Sequence, residues 1–215
     1  MIVAAGEKTA DSAKLVVIMD YGAGNVGSLV GALHRLNYRV RVSADATDFG
    51  GADAVILPGV GAMPSAIKSI RNQGLDNVIA QLLTDGSVPV IGICLGMQLM
   101  FEHSEEGDVA GLSMLGGVVR RLSNVSCHVG WSNCYVPLGN GDQTEAAVYF
   151  NHSYFVQPDP SILKSVANVE GHGYIPAIVQ SGNFVGMQFH PEKSQYTGAA
   201  LLRHFIEASR RESYA

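Results

Sequence analysis

Short runs of apolar, largely β-branched residues recur through the first half of the chain, and each is followed by a turn and a helical pattern. The runs are residues 15–19 (LVVIM), 54–57 (AVIL) and 88–93 (VPVIGI). A continuous apolar run is typical of a strand that is covered on both faces. Helical spacing between and after the runs predicts an α/β fold, with a mostly parallel central sheet and helices on both faces. The predicted elements between and after the runs are a helix from Val26 to Leu36, a strand at 39–42, two helices between Pro64 and Thr84, and a helix from Leu95 to about His103.

The second half of the chain has a different pattern. Between Met114 and Gln188, short β-like runs are broken by Gly, Asn and Pro, which predicts additional antiparallel strands that extend or edge the sheet. Residues 198–210 carry the spacing of an amphipathic helix. We interpret residues 14–210 as one domain and residues 1–13 as an N-terminal extension.

Composition excludes several classes of function. The net charge of −5 and the lack of a basic stripe argue against a nucleic-acid binder. No apolar run approaches the roughly 20 residues that a membrane-spanning helix needs. Three scattered cysteines indicate a reducing, cytoplasmic location, and they show no metal-ligand spacing with the histidines. We therefore expect no metal and no cofactor.

One cysteine has the setting of a nucleophile. In Gly92-Ile93-Cys94-Leu95-Gly96 a buried strand turns into a helix, which is the G-x-nucleophile-x-G pattern with Cys in place of Ser. The helix that begins at Leu95 would present backbone N–H groups and a positive dipole end to the sulfur, and both favour a thiolate. Cys127 and Cys134 lack this setting, and we assign them no chemistry.

A thiolate nucleophile needs a base, and the base needs a group that orients it. Both are found in Gly186-Met187-Gln188-Phe189-His190-Pro191-Glu192. A strand would bring His190 to its carboxyl end, and Pro191 would end the ladder because it has no N–H to donate. His190 and Glu192 are therefore predicted to complete a catalytic triad with Cys94.

The turn at Pro58-Gly59-Val60-Gly61 follows another predicted strand. In a parallel sheet this turn would lie at the same edge as Cys94. An oxyanion needs backbone N–H donors, and we expect them from Leu95 together with Gly59 or Val60. An ordinary turn is the alternative interpretation.

These motifs resemble those of class I, triad-type glutamine amidotransferases. The likeness rests on PGVGA (58–62), GICLGMQLMFE (92–102) and GMQFHPEKS (186–194). Within that class the chain is similar to the glutaminase subunits of imidazole glycerol phosphate synthase. DYGAGN (20–25), HVGW (128–131) and FNHSY (150–154) carry this narrower likeness. The resemblance runs from about Lys14 to Ser209 and implies a flavodoxin-like fold.

The resemblance also implies substrate and partner. Glutamine would be held by Gln98, Glu106, Ser153 and Tyr154. The partner would be a separate (β/α)₈-barrel cyclase subunit in a heterodimer, which uses the ammonia to form imidazole glycerol phosphate and AICAR in histidine biosynthesis. The interface residues that the likeness implies are Tyr21, Asn25, Trp131 and Lys193.

Four alternatives remain open at this stage. Gly22-Ala23-Gly24-Asn25-Val26-Gly27 fits the dinucleotide fingerprint G-x-G-x-x-G, with Asp45 about 20 residues later, and would indicate an NAD-binding protein. A Cys-His-Glu hydrolase or peptidase would keep the fold and change the reaction. A paralogous glutaminase could feed a surface-sugar amidination enzyme. A binding-only partner would have lost catalysis, which the complete triad argues against.

Overall fold

The computed structural model describes residues 13–22, 26–137 and 142–208. The proposed extension thus lies outside the described residues except for Ala13, as do residues 209 and 210 of the proposed domain. The helices are α1 (Gly27–Arg35), α2 (Met63–Asn72), α3 (Leu75–Asp85), α4 (Leu95–Gln98) and α5 (Gln195–Ala208). The strands are β1 (Leu15–Met19), β2 (Arg39–Ser43), β3 (Ala54–Leu57), β4 (Val90–Ile93), β5 (His103–Ser104), β6 (Val109–Ala110), β7 (Gly117–Arg121), β8 (His128–Pro137), β9 (Gln143–His152), β10 (Tyr154–Pro158), β11 (Leu163–Val169), β12 (Gly173–Ser181) and β13 (Phe184–Met187). None of the helices in these ranges is long and apolar enough to cross a membrane.

A nine-stranded sheet with the order β2-β1-β3-β4-β13-β12-β11-β8-β9 forms the centre of the molecule. Its first five strands are parallel, as the apolar runs predicted. Alternate residues of β1 point to opposite faces of the sheet. Val16 and Ile18 pack with α1 and α5, whereas Val17 and Met19 pack with α2 and α3. Because both faces are covered by helices, the strands need apolar residues at every position.

The antiparallel part of the sheet is larger than the sequence indicated. β12, β11, β8 and β9 extend the sheet by antiparallel pairing. β8 and β9 are ten residues each, longer than the short runs that we predicted. A separate four-stranded sheet with the order β10-β7-β5-β6 was not predicted. It packs Val119 and Val156 into the same core cluster as α2 and α3.

The predicted helix from Leu95 to His103 is wrong in length. α4 ends at Gln98, and the following carbonyls leave the helical pattern. The Leu99 carbonyl accepts from the amide of Leu112, and the Phe101 carbonyl accepts from the amide of Ser113. These long-range bonds satisfy groups that a longer helix would have used. The helix at the carboxyl end also differs slightly, because α5 begins at Gln195 rather than at residue 198.

Three strand ends meet at one edge of the parallel sheet. Leu57 of β3 pairs with Gly92 of β4, and Ile93 of β4 pairs with Met187 of β13. The amide of Cys94 then donates to the Met187 carbonyl at 2.7 Å. The residues that follow each strand are therefore brought together, although they are far apart in the chain.

Candidate active site

Cys94 lies on a sharply turned backbone between β4 and α4. Its φ is 49° and its ψ is −107°, in a region that non-glycine residues rarely adopt. Such strain persists only where the surrounding structure holds it, and it recurs at functional sites. The glycine at 96 lets the turn pack closely against the end of β3, because a Cβ there would lie 2.1 Å from the Leu57 carbonyl oxygen. The glycine-flanked pattern therefore forms the sharp strand-to-helix turn that was predicted.

The turn after β3 packs directly against this elbow. A Cβ on Gly59 would lie 1.9 Å from the Ile93 carbonyl oxygen and 2.4 Å from the Leu95 amide nitrogen. No side chain fits at that position. The backbone of Gly59 and the amide of Leu95 thus lie side by side, as an oxyanion site built from both segments requires. Val60 follows at the pocket surface, where it is 39% exposed.

His190 and Glu192 form a close, buried pair. The Nδ1–H of His190 donates to Oε1 of Glu192 at 2.8 Å, and their side chains are 3% and 10% exposed. The His190 amide donates to the carbonyl of Tyr149 in β9. Pro191 begins a short 3₁₀ turn that brings Glu192 back beneath the ring. A carboxylate in this position holds the imidazole in one tautomer and stabilises its cation.

His190 interacts with Cys94 as well as with Glu192. Burial works to lower the pKa of His190, but the hydrogen bonds to Cys94 and Glu192, and the charges of both, raise that pKa to about 9. The imidazole therefore holds its proton at neutral pH. This is the state in which it can pair with a thiolate and later protonate a leaving group.

A cavity of about 320 Å³ opens at the carboxyl ends of these strands. It contains Cys94, His190 and nearly all the residues that were predicted around them. These are Gly59, Val60 and Leu95 of the expected oxyanion site, and Gln98, Glu106, Ser153 and Tyr154 of the expected glutamine site. Residues from six separate parts of the chain thus line one cavity, and Cys127 is the one part to which the sequence assigned no role. Its size and polar lining suit a small polar substrate.

Two of the predicted substrate residues are already bonded within the protein. Gln98 is buried, and its Nε2 donates to the Tyr154 carbonyl at 2.8 Å and to Oε1 of Gln188 at 3.0 Å. Its own Oε1 is the atom left to accept from a substrate. Glu106 accepts from the amide of Met63 at the start of α2 through Oε2. Its other oxygen can accept from an ammonium group.

Sequence reasoning did not assign a role to Gln188, Asn151 or His152. Gln188 is fully buried, and its Nε2 donates toward the Cys94 sulfur at 3.5 Å. The Asn151 carbonyl oxygen lies 3.9 Å from that sulfur. His152 lines the cavity beside Asn151. The available signal was position, because Gln188 lies two residues before His190 and the other two lie within the FNHSY segment.

The interface residues that the resemblance implied have different surroundings. Trp131 is 49% exposed and its ring packs edge-on against Tyr149 at 5.9 Å between centroids. The Lys193 ammonium lies 5.7 Å from the centroid of the Tyr149 ring. The side chain of Tyr21 is only 2% exposed and its hydroxyl donates to the Pro58 carbonyl, so little of this side chain lies at the surface. Asn25 lies outside the described residues.

The dinucleotide interpretation finds little support. Asp45, the expected ribose ligand, caps a 3₁₀ turn through a 2.9 Å bond from the amide of Thr47. Residues 23–25 of the fingerprint lie outside the described residues. Within the described ranges, no group of three or more His, Cys, Asp or Glu side chains is placed to hold a metal ion.

Comparison with known proteins agrees with the geometry. The family model for "Glutamine amidotransferase class-I" matches residues 17–208. "Imidazole glycerol phosphate synthase subunit HisH" of Xanthomonas campestris pv. campestris (strain 8004) is 46% identical over 203 residues, which cover 90% of this chain and 98% of that protein. The protein of the same description from Xylella fastidiosa (strain 9a5c) is 46% identical over 200 residues, covering 89% of this chain and 96% of the relative.

Solved structures share the fold at lower identity. One is described as "Crystal structure of glutamine amidotransferase" and superposes with a TM-score of 0.72 at 21% identity, covering 90% of this chain and 98% of that chain. Another, "Structure of PurLQS from Thermotoga maritima", superposes with a TM-score of 0.72 at 16% identity, covering 91% and 99%. At these identities the likeness concerns the fold alone.

Proposed function

This chain belongs to the class I glutamine amidotransferase family, and on that premise we propose that it is the glutaminase subunit of an imidazole glycerol phosphate synthase. It hydrolyses the side-chain amide of glutamine at Cys94 and passes the ammonia to a cyclase subunit. The observation that carries the proposal is the cavity that is lined by the elbow cysteine, by the predicted glutamine residues and by His190, which is bonded to Glu192.

The chemistry uses the groups in order. The Cys94 thiolate attacks the amide carbon of glutamine, and the carbonyl oxygen takes up negative charge. Backbone N–H groups at Leu95 and in the Gly59–Val60 turn are the proposed donors to that oxyanion. His190 gives its proton to the departing nitrogen, so that ammonia leaves and a thioester remains. Water, with its proton taken by His190, then cleaves the thioester and releases glutamate.

The glutamine side chain must enter with its amide toward Cys94. Its α-ammonium group would then lie near the free oxygen of Glu106, and its amide or carboxylate near Gln98 and the 153–154 backbone. The Gln98–Gln188–Cys94 contacts support this arrangement, because both amide groups direct an N–H along the path to the sulfur. The sulfur of Cys94 thus accepts a hydrogen bond from the Gln188 amide.

The partner follows from the names of the relatives, which are subunits of imidazole glycerol phosphate synthase. Those names favour the histidine pathway over a surface-sugar pathway. Ammonia is mostly protonated in neutral water and then is not a nucleophile, so a protected route to a second active site is required. We propose a heterodimer with a (β/α)₈-barrel cyclase. No separate cofactor enters this half of the reaction.

The exposed face of β8 and β9 is the proposed docking surface. Val129, Trp131 and Tyr135 lie along it, each more than one-third exposed. Val129 pairs with Asn151, which lines the cavity, so the surface runs directly to the site where ammonia forms. An exposed Trp beside a Tyr and a Lys is the composition of a binding hot spot. We also propose a cytoplasmic location, which the sparse cysteines support.

The test measures glutamate release from glutamine by the purified chain, with and without a cyclase subunit and the phosphorylated ribulosyl ligand of the cyclase. We expect low activity alone and a large increase in the complex, because uncoupled hydrolysis would waste glutamine. Peptide and ester substrates are the matched controls for a Cys-His-Glu hydrolase. Cleavage of those substrates without glutamate release would reject the glutaminase assignment.

A further inference from the structure

Two buried histidines form a continuous hydrogen-bonded chain beside the glutamine cavity. His128 of β8 and His152 of β9 are paired across the strands, with Nδ1 of His128 and Nε2 of His152 3.1 Å apart. The other nitrogen of His152, Nδ1, lies 2.9 Å from the Tyr154 carbonyl oxygen. The other nitrogen of His128, Nε2, lies 2.8 Å from the Ser132 hydroxyl. Neither ring takes part in the mechanism above.

The direction of these hydrogen bonds follows from the bond between His152 and the Tyr154 carbonyl. A carbonyl oxygen only accepts, so Nδ1 of His152 must carry a proton. If His152 is neutral, its Nε2 accepts, and therefore Nδ1 of His128 must be the donor. If His128 is neutral as well, its Nε2 accepts from the Ser132 hydroxyl. Both rings are then in the Nδ1–H tautomer, and every bond points from Ser132 toward Tyr154.

The surroundings keep both rings neutral. Burial lowers the pKa of His152 to about 3, although its bond to the Tyr154 carbonyl acts in the opposite direction. The other titratable groups that act on His152 are the rings of His128, His190 and His172, and each lowers its pKa further. Burial also lowers the pKa of His128. Protonation of His152 would leave it with two N–H groups, so His128 would have to change to its Nε2–H tautomer and the central bond would reverse its direction.

Each end of this series of hydrogen bonds contacts a functional part of the molecule. The Tyr154 carbonyl accepts from His152 and also from Gln98, so one oxygen anchors both the cavity wall and the helix that follows Cys94. Ser132 follows Trp131 on β8, within the proposed docking strand. A second contact runs through rings, because His128 stacks on Phe150 at 4.6 Å and Phe150 packs on Phe189, the residue before His190.

We propose that His128 and His152 are positioning residues of the glutamine site, a directed relay that holds the Tyr154 carbonyl and connects the docking strand to the substrate cavity. The proposal rests on the proposed glutaminase function. The relay does not touch the reacting atoms. Its loss should therefore weaken glutamine binding more than it slows the chemistry.

The first test is independent of activity. Nitrogen-15 NMR of the imidazole rings in the full chain at neutral pH reports which nitrogen of each ring carries the proton. We expect the Nδ1–H tautomer for both His128 and His152. The more common Nε2–H tautomer, or a charged ring, in either residue would overturn the relay, whatever the chain proves to catalyse.

The second test uses matched amide variants in the complete synthase. The Asn amide nitrogen in His152→Asn occupies the place of Nδ1 and keeps the donor to Tyr154, whereas His152→Gln keeps only the contact with His128. We expect His152→Gln to raise the KM for glutamine about threefold to tenfold, which is the range for one lost hydrogen bond. We expect a smaller change in kcat, and we expect His152→Asn to restore KM toward the wild-type value.

The corresponding Asn and Gln substitutions at His128 test the other ring. His128→Asn keeps the donor to His152 and should resemble the wild type in KM, whereas His128→Gln removes it and should resemble His152→Gln. Thermal unfolding of each variant checks that it is folded. Equal KM values for the Asn and Gln variants, with wild-type turnover intact, would overturn the relay and leave the glutaminase function standing. Absence of glutamine turnover in the wild type would overturn both.

Discussion

The Nδ1 atom of His190 lies 2.8 Å from Oε1 of Glu192, although the two residues are separated in the chain only by Pro191. The 3₁₀ turn that begins at the proline makes this contact possible. In an extended backbone the side chains of residues two apart would point to the same face and run side by side without converging. Oε2 of Glu192 is buried without a hydrogen-bond partner among the described residues. The carboxylate is thus held for one bond, to the imidazole.

Replacing Glu192 with Gln should lower kcat by roughly 10²–10⁴-fold, because the orienting charge is lost. It should also move the pH profile. The pKa of His190 is raised to about 9 in part by Glu192. Wild-type kcat/KM should therefore fall as the pH rises through about 9, because the His190 imidazolium then loses its proton. Without the carboxylate this limb should shift to lower pH. An unchanged limb would show that another group controls it.

Replacing Cys94 with Ala should reduce glutamine hydrolysis by roughly 10⁴-fold or more, since the proposed thioester forms on its sulfur. Folding and association with the cyclase should persist, because alanine keeps the Cβ atom and the lost sulfur belongs to a residue on the cavity wall. Added ammonium salts should restore product formation by the complete synthase. Cys134→Ala is the matched control, because that buried thiol lies on β8 away from the cavity. Glutamine-dependent turnover in Cys94→Ala would reject the nucleophile.

Replacing Gly59 with Ala should disrupt the elbow, because its Cβ would lie 1.9 Å from the Ile93 carbonyl oxygen. We expect a loss of about 1–3 kcal/mol or more in the free energy of unfolding, together with loss of turnover. Gly51→Ala is the control. A Cβ there would meet nothing within 4 Å, so its effect should stay within about 0.5 kcal/mol. Denaturant unfolding and glutaminase assays measure both, and equal behaviour of the two variants would contradict the prediction.

Replacing Trp131 with Ala should weaken binding of the cyclase by about 2 kcal/mol or more if this ring is a hot spot of the interface. The stability of the isolated chain should change little, because the ring is 49% exposed. Tyr174→Ala on β12 is the control, since its ring is 74% exposed and lies on a different strand. Calorimetric titration compares the affinities. Unchanged binding by Trp131→Ala would show that the interface with the cyclase lies elsewhere.

Much of the parallel half of the fold was predictable because its signals are local. β1 and β3 begin and end at the predicted residues, since a strand buried on both faces leaves an uninterrupted apolar run. The helix after Cys94 was predicted too long, because its end depends on distant amides at 112–115 that take its carbonyls. The second sheet was missed for the same reason, as strand pairing depends on partners far along the chain.

The amino-acid sequence by itself determined the chemical components of the site. The local patterns predicted a nucleophile at Cys94, which lies between two glycines. They also predicted an acid–base group at His190 and an orienting carboxylate at Glu192, on either side of a proline. Only the tertiary structure decided that they meet, through the pairing of Ile93 with Met187 at one sheet edge. It also decided the roles open to Gln188, His128 and His152, because the meaning of a buried polar group depends on the partner that satisfies it.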